Sequence, residues 1–116
     1  AIHAMSHPIG AVFGTHHGTT NAVCMPAVLE LNAPEIRDRF RSAAAYLDIE
    51  GGFDGFCAFV QEFNDSLAIP RKLSDMGVTA DRISDLVDEA VQDPSCGGNP
   101  VKLTKENLRA LFEANI

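Results

Sequence analysis

The length, composition and charge of the chain limit what it can be. Its 116 residues suffice for one domain with a hydrophobic core, but not for that core together with a nucleotide-binding domain. Nine Lys and Arg against sixteen Asp and Glu give a formal charge of −7, which opposes binding to nucleic acid or anionic lipid. No apolar run approaches the roughly 20 residues that span a bilayer, and the first residues lack a secretory pattern, so we expect a cytoplasmic protein.

The pattern of apolar residues predicts an all-α chain, because no alternating strand pattern occurs. A first helix covers residues 1–13 and begins without a capping residue or a preceding turn. A second helix is predicted over 19–31, with a kink at Pro26. A third begins at Pro34, after a short polar turn, and reaches Leu47. Two consecutive helices are therefore expected in this part of the chain.

Glycine and proline mark the later boundaries. After Gly51 and Gly52, six apolar residues predict a buried helix: Phe53, Phe56, Cys57, Val60, Phe63 and Leu67. A connecting stretch over 70–77 contains a short turn around Leu73. Thr79 is the expected N-cap of the next helix, and 93–100 is predicted as a loop. Thr104 caps the last helix.

All four histidines lie within the first seventeen residues, which suggests a metal site, a proton relay or both. His3 and His7 are spaced i, i+4 and project from one helix face, although Pro8 disfavours α geometry at His7. The turn that contains His16 and His17 can bring a further imidazole towards that face. Spacing alone leaves ligation and an ordinary surface role equally open for His3, His7 and His17. For His16 the ordinary role is favoured.

The cysteines indicate neither a disulfide framework nor a cysteine zinc site, because they are odd in number and lack CxxC spacing. Reduced thiols are expected. Cys57 lies within an apolar stripe and is predicted to be a core residue. Cys96 lies in the predicted loop over 93–100.

One run, HAMSHPIGAVFGTHHGTTNAVCMPAVL, resembles the signature of the iron-containing (group III) alcohol dehydrogenases, H-x3-H-P-x-G-x6-H-G-x2-N-A-x3-P. Nine fixed positions match: His3, His7, Pro8, Gly10, His17, Gly18, Asn21, Ala22 and Pro26. The runs LAIPRKLSDMGV and DPSCGGNPVKLTKENLRALFEA are also similar to that family's C-terminal domain. The resemblance implies an all-α helical bundle of the dehydroquinate synthase-like kind over residues 1–116.

The resemblance also implies roles for particular residues. His3 and His17 match the last two metal ligands of the family. His7 matches an active-site histidine that is not a ligand but lies beside the substrate and the nicotinamide and takes part in proton transfer. Cys96 falls where the family lines its substrate pocket, and an ordinary loop thiol is an equally open interpretation.

Two parts of the family's active site have no match in these residues. They are the other two metal ligands, an Asp and a His spaced D-x3-H, and the Gly-rich phosphate loop of an N-terminal α/β domain. The resemblance therefore implies that residues 1–116 are the C-terminal piece of a metal-dependent NAD(P) alcohol dehydrogenase, inactive alone. Its partners would be that N-terminal domain and a small alcohol or aldehyde, and the parent could form a homo-oligomer.

The family name implies Fe(2+), but imidazole and carboxylate ligands bind Zn(2+) at least as tightly, so the sequence does not select the metal. NAD and NADP are not distinguished either. Maleylacetate reductases of the same superfamily share a related histidine segment and need no metal, but the runs HGTTNA and CGGNP favour the alcohol dehydrogenases. The other alternative is a free-standing helical metal-binding or interaction module. A reading frame that extends about 250 residues upstream would support the fragment.

Overall fold

The computed structural model describes residues 1–116 and confirms an all-α fold with no strand. The five helices are α1 (Ile2–Phe13), α2 (His17–Tyr46), α3 (Gly52–Ser66), α4 (Ile83–Ala90) and α5 (Lys105–Ala114). Three short 3-10 turns cover Ser74–Met76, Ala80–Arg82 and Pro94–Gly98. None of the helices combines the length and the apolar character needed to cross a bilayer.

The main core lies between α1, the first half of α2, α4 and α5. Met5 and Ile9 of α1 are completely buried, as are Leu108 and Phe112 of α5. Leu73, in the connection after α3, is also completely buried and precedes the short turn that the sequence predicted there. The apolar faces of these helices therefore pack together in one core that includes α1.

A smaller core joins the second half of α2 to α3. Its buried members are Leu29, Ile36, Phe53 and Val60. Phe40 packs edge-on against Phe53, with ring centroids 6.3 Å apart. Aromatic pairs in this orientation add attraction beyond the area they bury. Cys57 is only half-buried at this cluster, so it borders the core rather than filling it.

The prediction of two separate helices between residues 19 and 47 was wrong, because α2 is one helix that includes both Pro26 and Pro34. Proline removes a backbone hydrogen bond and usually ends a helix. Here the buried positions continue across Pro34, from Leu29 through Asn32 to Ile36. Packing on both sides of Pro34 stabilises the helix more than the proline destabilises it.

Three other details differ from the predictions. Thr79 precedes the 3-10 turn at Ala80–Arg82, makes no capping hydrogen bond with its side chain, and is followed by α4 only from Ile83. Residues 94–98 form a 3-10 turn within the predicted loop.

The apolar stripe of α3 is narrower than expected. Phe63 and Leu67 are exposed, whereas Asn64 is buried and its amide donates to the carbonyl of Ala22. The cap at Thr104 is confirmed and forms a reciprocal pair with Asn107.

Candidate metal centre

Three of the four histidines meet on one exposed face of the molecule. The ring centroid of His3 lies 5.7 Å from that of His7 and 5.1 Å from that of His17, and the rings of His7 and His17 stack 5.4 Å apart. His3 and His7 are on α1, whereas His17 is the first residue of α2. The expected clustering of these imidazoles is thus present.

The turn between α1 and α2 positions His17. Gly14 adopts a left-handed conformation with φ of 66°, and its N–H donates to the carbonyl of Gly10, which ends α1. Thr20 then bonds Thr15 through their hydroxyls at 2.8 Å and holds the start of α2 against the turn. Helix α1 itself continues through Pro8, so His3 and His7 stay one turn apart on a single helix.

His16 has a structural role, as the sequence favoured. It is the N-cap of α2, and its Nδ1 accepts from the backbone N–H of Thr19 at 3.4 Å. A side chain in this position satisfies one of the free N–H groups at the start of a helix. His16 does not belong to the group of three stacked and tilted rings.

The neighbours of His17 leave one of its nitrogens as an acceptor. The hydroxyl of Ser6 donates to the carbonyl of His3 and lies 3.4 Å from Nδ1 of His17, so it can accept the Nδ1 proton. The amide nitrogen of Asn21 is 3.1 Å from Nε2 and donates to it. Oδ1 of Asn21 is buried and has no hydrogen-bond partner. If the amide turned away from Nε2, Asn21 would therefore lose a single hydrogen bond.

His7 has a charged partner from the far end of the chain. Its Nδ1 lies 2.7 Å from Oδ2 of Asp93, which follows α4. The hydrogen bond from His7, together with those from Ser95, lowers the pKa of Asp93 to about 2. The carboxylate of Asp93 is therefore ionised at neutral pH.

The spacing of His3 and His17 suits a shared metal ion. Two imidazoles that bind one ion at about 2.0–2.1 Å with a tetrahedral angle have ring centroids roughly 5 Å apart. The observed separation is 5.1 Å, and the rings are inclined by 45°. No three His, Cys, Asp or Glu side chains of the chain converge to hold an ion together. The residues present fit two ligands of a metal site, not a complete set.

The thiol of Cys96 is not among the hydrogen-bond partners of the three imidazoles. It donates to the carbonyl of Ala90 at 3.1 Å and packs against the main core, and burial raises its pKa. A cavity of about 370 Å³ borders His3 and is lined by Ser95 and Asn99 but not by Cys96. Cys96 lines a second cavity, of about 340 Å³, which shares Asn99 and Pro100 with the first.

The sequence interpretation missed Asp93 and Ser6 as parts of this site. Asp93 precedes Pro94, and this pair is a common start of a helical turn, which is the only local signal at Asp93. Its contact with His7 joins residues 86 positions apart and arises from the packing of α4 on α1. Ser6 lies between His3 and His7 and was overlooked because a helical serine has no distinctive spacing.

Comparison with known proteins identifies the family. The model of the C-terminal part of the Fe-containing alcohol dehydrogenase family matches residues 1–116. The chain belongs to the iron-containing alcohol dehydrogenase family. The resemblance seen in the histidine segment is therefore confirmed, and so is the fold expected from it.

Members of the iron-containing alcohol dehydrogenase family resemble the chain over nearly its whole length. Lactaldehyde reductase from Escherichia coli (strain K12) is 31% identical over 118 residues, covering 96% of this chain and 31% of that protein. The crystal structure of a 1,3-propanediol oxidoreductase superposes with a TM-score of 0.92 and 25% identity, covering 99% of this chain and 32% of that one. Maleylacetate reductase from Rhizobium sp. strain MTP-10005 shares the fold, with a TM-score of 0.77, 23% identity and coverage of 100% and 31%. The chain thus spans about a third of the length of its relatives.

Proposed function

We propose that the chain is the C-terminal helical domain of a metal-dependent, NAD(P)-linked alcohol dehydrogenase. The parent would oxidise primary or secondary alcohols, or reduce aldehydes and ketones, by hydride transfer in the cytoplasm. The observation that carries this proposal is the group formed by His3, His7 and His17, with ring centroids 5.1–5.7 Å apart on one exposed face. The relatives of the chain include a lactaldehyde reductase and a butanol dehydrogenase, and their names support this class of reaction.

His3 and His17 would hold the metal, either Fe(2+) or Zn(2+). When bound, such an ion polarises an alcohol or carbonyl oxygen and lowers the pKa of the alcohol. Ser6 can accept the Nδ1 proton of His17, which leaves Nε2 of His17 available for ligation once Asn21 turns away. The remaining ligands would come from the nucleotide-binding domain of the same protein.

His7 would move the proton of the alcohol. It lies beside both ligands but is held by Asp93, so it is placed next to the reacting oxygen without being needed for ligation. The face that carries the three imidazoles is exposed, and we propose that the nucleotide-binding domain covers it and brings the nicotinamide there. Without that domain the chain would be inactive.

Cys96 would contribute to the substrate pocket only through the loop that it stabilises, because its thiol is turned towards Ala90. Ser95, Gly98 and Asn99 of the same loop line the cavity beside His3. A maleylacetate reductase has the same fold at 23% identity, so the fold alone does not separate the two reactions. The pair of imidazoles at ligand spacing favours the metal-dependent reaction.

The test is a protein in which this chain follows its nucleotide-binding domain. His3→Ala and His7→Ala variants are compared for bound metal and for NAD(P)-dependent oxidation of a short primary alcohol. We expect His3→Ala to lose most of the metal and the activity. We expect His7→Ala to retain the metal while kcat falls about 100-fold, the lower end of what an acid–base group contributes.

His16→Ala is the matched control, because it removes an exposed imidazole from the same turn without touching the group of three. It should retain metal and activity. Full activity in a His3→Ala protein that has lost its metal would contradict the proposed function and favour a metal-independent reductase.

A further inference from the structure

The two carboxylate oxygens of Asp93 have different hydrogen-bond partners. Oδ2 lies 2.7 Å from Nδ1 of His7, and Oδ1 accepts from the backbone N–H of Ser95 at 2.8 Å. The Asp93 side chain is only 12% exposed, whereas that of His7 is 48% exposed. One oxygen thus fixes the carboxylate to the backbone while the other is directed at the imidazole.

The backbone around Asp93 is fixed on both sides. Its N–H donates to the carbonyl of Ala90 at the end of α4, and Asp93 caps the following 3-10 turn at Pro94–Gly98. That turn is joined to α2 by Asn99, whose side chain exchanges two hydrogen bonds with the buried Asn32. These hydrogen bonds therefore fix the position of the carboxylate relative to α4 and α2.

The ionised state of Asp93 determines which nitrogen of His7 carries a proton. An ionised carboxylate can only accept hydrogen bonds. At 2.7 Å from Oδ2, Nδ1 of His7 must be the donor. The other nitrogen, Nε2, then carries the lone pair in the neutral ring.

We propose that Asp93 is the positioning residue of His7: it holds the ring as the Nδ1–H tautomer and leaves Nε2 as the nitrogen that takes the proton. This role distinguishes His7 from His17, since the ring nitrogens of His17 have only neutral hydrogen-bond partners, Ser6 and Asn21. The inference rests on the proposed function for its catalytic meaning, but the tautomer is a property of the chain itself.

The first test is a ¹⁵N NMR spectrum of the imidazoles in the labelled chain at about pH 8.5, where imidazoles are ordinarily neutral. The chemical shifts of Nδ1 and Nε2 identify the nitrogen that bears the proton. We expect His7 to be predominantly Nδ1–H. A His7 ring that is predominantly Nε2–H in the unmodified chain overturns the proposal, whatever the variants do.

Asp93→Asn is the informative variant. Asn is as good a cap as Asp, so its Oδ1 can keep the bond to the N–H of Ser95, which turns an NH₂ donor towards His7. We expect the Nδ1–H to Nε2–H ratio of His7 to fall about tenfold with the circular dichroism unchanged. Asp88→Asn is the matched control, because it removes an equal charge from an exposed pair with Lys105 and should leave the ratio unchanged. An unchanged ratio in a folded Asp93→Asn chain also overturns the proposal.

A second experiment, on the parent protein, distinguishes failure of this inference from failure of the proposed function. In the parent protein, Asp93→Asn should lower kcat roughly 10- to 100-fold while the bound metal and KM for the alcohol change less than twofold. If the parent oxidises no alcohol but the tautomer shifts as expected, the proposed function fails and the structural effect of Asp93 stands. If kcat is unchanged in an active parent, Asp93 is not a positioning residue for the reaction.

Discussion

At the scale of single residues, the partners of each imidazole distinguish four chemically identical side chains. His16 caps a helix, His17 contacts a serine and an amide, and His7 contacts a carboxylate. His3 makes none of these side-chain bonds and is the ring nearest to His17. A free lone pair does not separate these rings from His7, whose Nε2 also has one, so the ligand role proposed for His3 and His17 rests on the 5.1 Å between their rings and on their match to the family's ligand positions.

The stability of the chain should depend on pH through Asp93. Its folded-state pKa of about 2 lies below the ordinary value, so its contribution to the free energy of unfolding is fully present above about pH 4. That contribution disappears as the pH falls through 2. We expect Asp93→Asn to be less stable by about 1–2 kcal/mol at pH 5, and the difference to shrink towards pH 2. Urea unfolding of both chains at several pH values measures it. A difference that grows on acidification would contradict this sign.

At the scale of elements, local sequence signals failed to predict that α2 is a single helix. Asn32 and Pro34 are typical turn residues, and they predicted a break that does not exist. In the folded chain Oδ1 of Asn32 accepts hydrogen bonds from the side chain of Asn99 and from the N–H of Val101. The buried amide oxygen of Asn32 therefore has hydrogen-bond partners within the protein. Of these partners, Asn99 is 67 residues away, and no local pattern reports it.

Asn32→Ala and Asn99→Ala should each lower the free energy of unfolding by about 2 kcal/mol, because Asn99→Ala leaves Nδ2 of the buried Asn32 without a partner and Asn32→Ala removes the acceptor of the Val101 N–H. The double variant should lose clearly less than the sum, since the pair acts as a unit. Urea unfolding of the four chains gives the coupling energy. Gln92→Ala, which removes an exposed amide, is the control and should change stability by less than about 0.5 kcal/mol. Strict additivity would show that the two amides do not stabilise the loop jointly.

At the scale of the whole molecule, local rules predicted much of the framework. Helical spacing correctly indicated α1 and the meeting of His3 with His7, and the cap at Thr104 marked the start of α5. Spacing could not indicate Asp93 beside His7, because that contact depends on how α4 packs on α1. It also failed for Phe63 and Leu67, since an apolar period does not reveal whether a partner covers the helix face.

The proposed metal site would be only partly contained in this chain. The fold holds two imidazoles at ligand spacing on an exposed face, and no third ligand from the chain joins them. We expect the isolated chain to bind a metal more weakly than the parent would, because a catalytic site ordinarily has about three protein ligands.

The central claim is that His3 and His17 are a pair of metal ligands, and a calorimetric Zn(2+) titration of the chain tests it most directly. We expect saturable binding of one ion per chain, lost in the His3→Ala/His17→Ala double variant and retained in His16→Ala, with Fe(2+) under anaerobic conditions behaving alike. Binding that survives the double variant, or that is lost equally in His16→Ala, would contradict the claim.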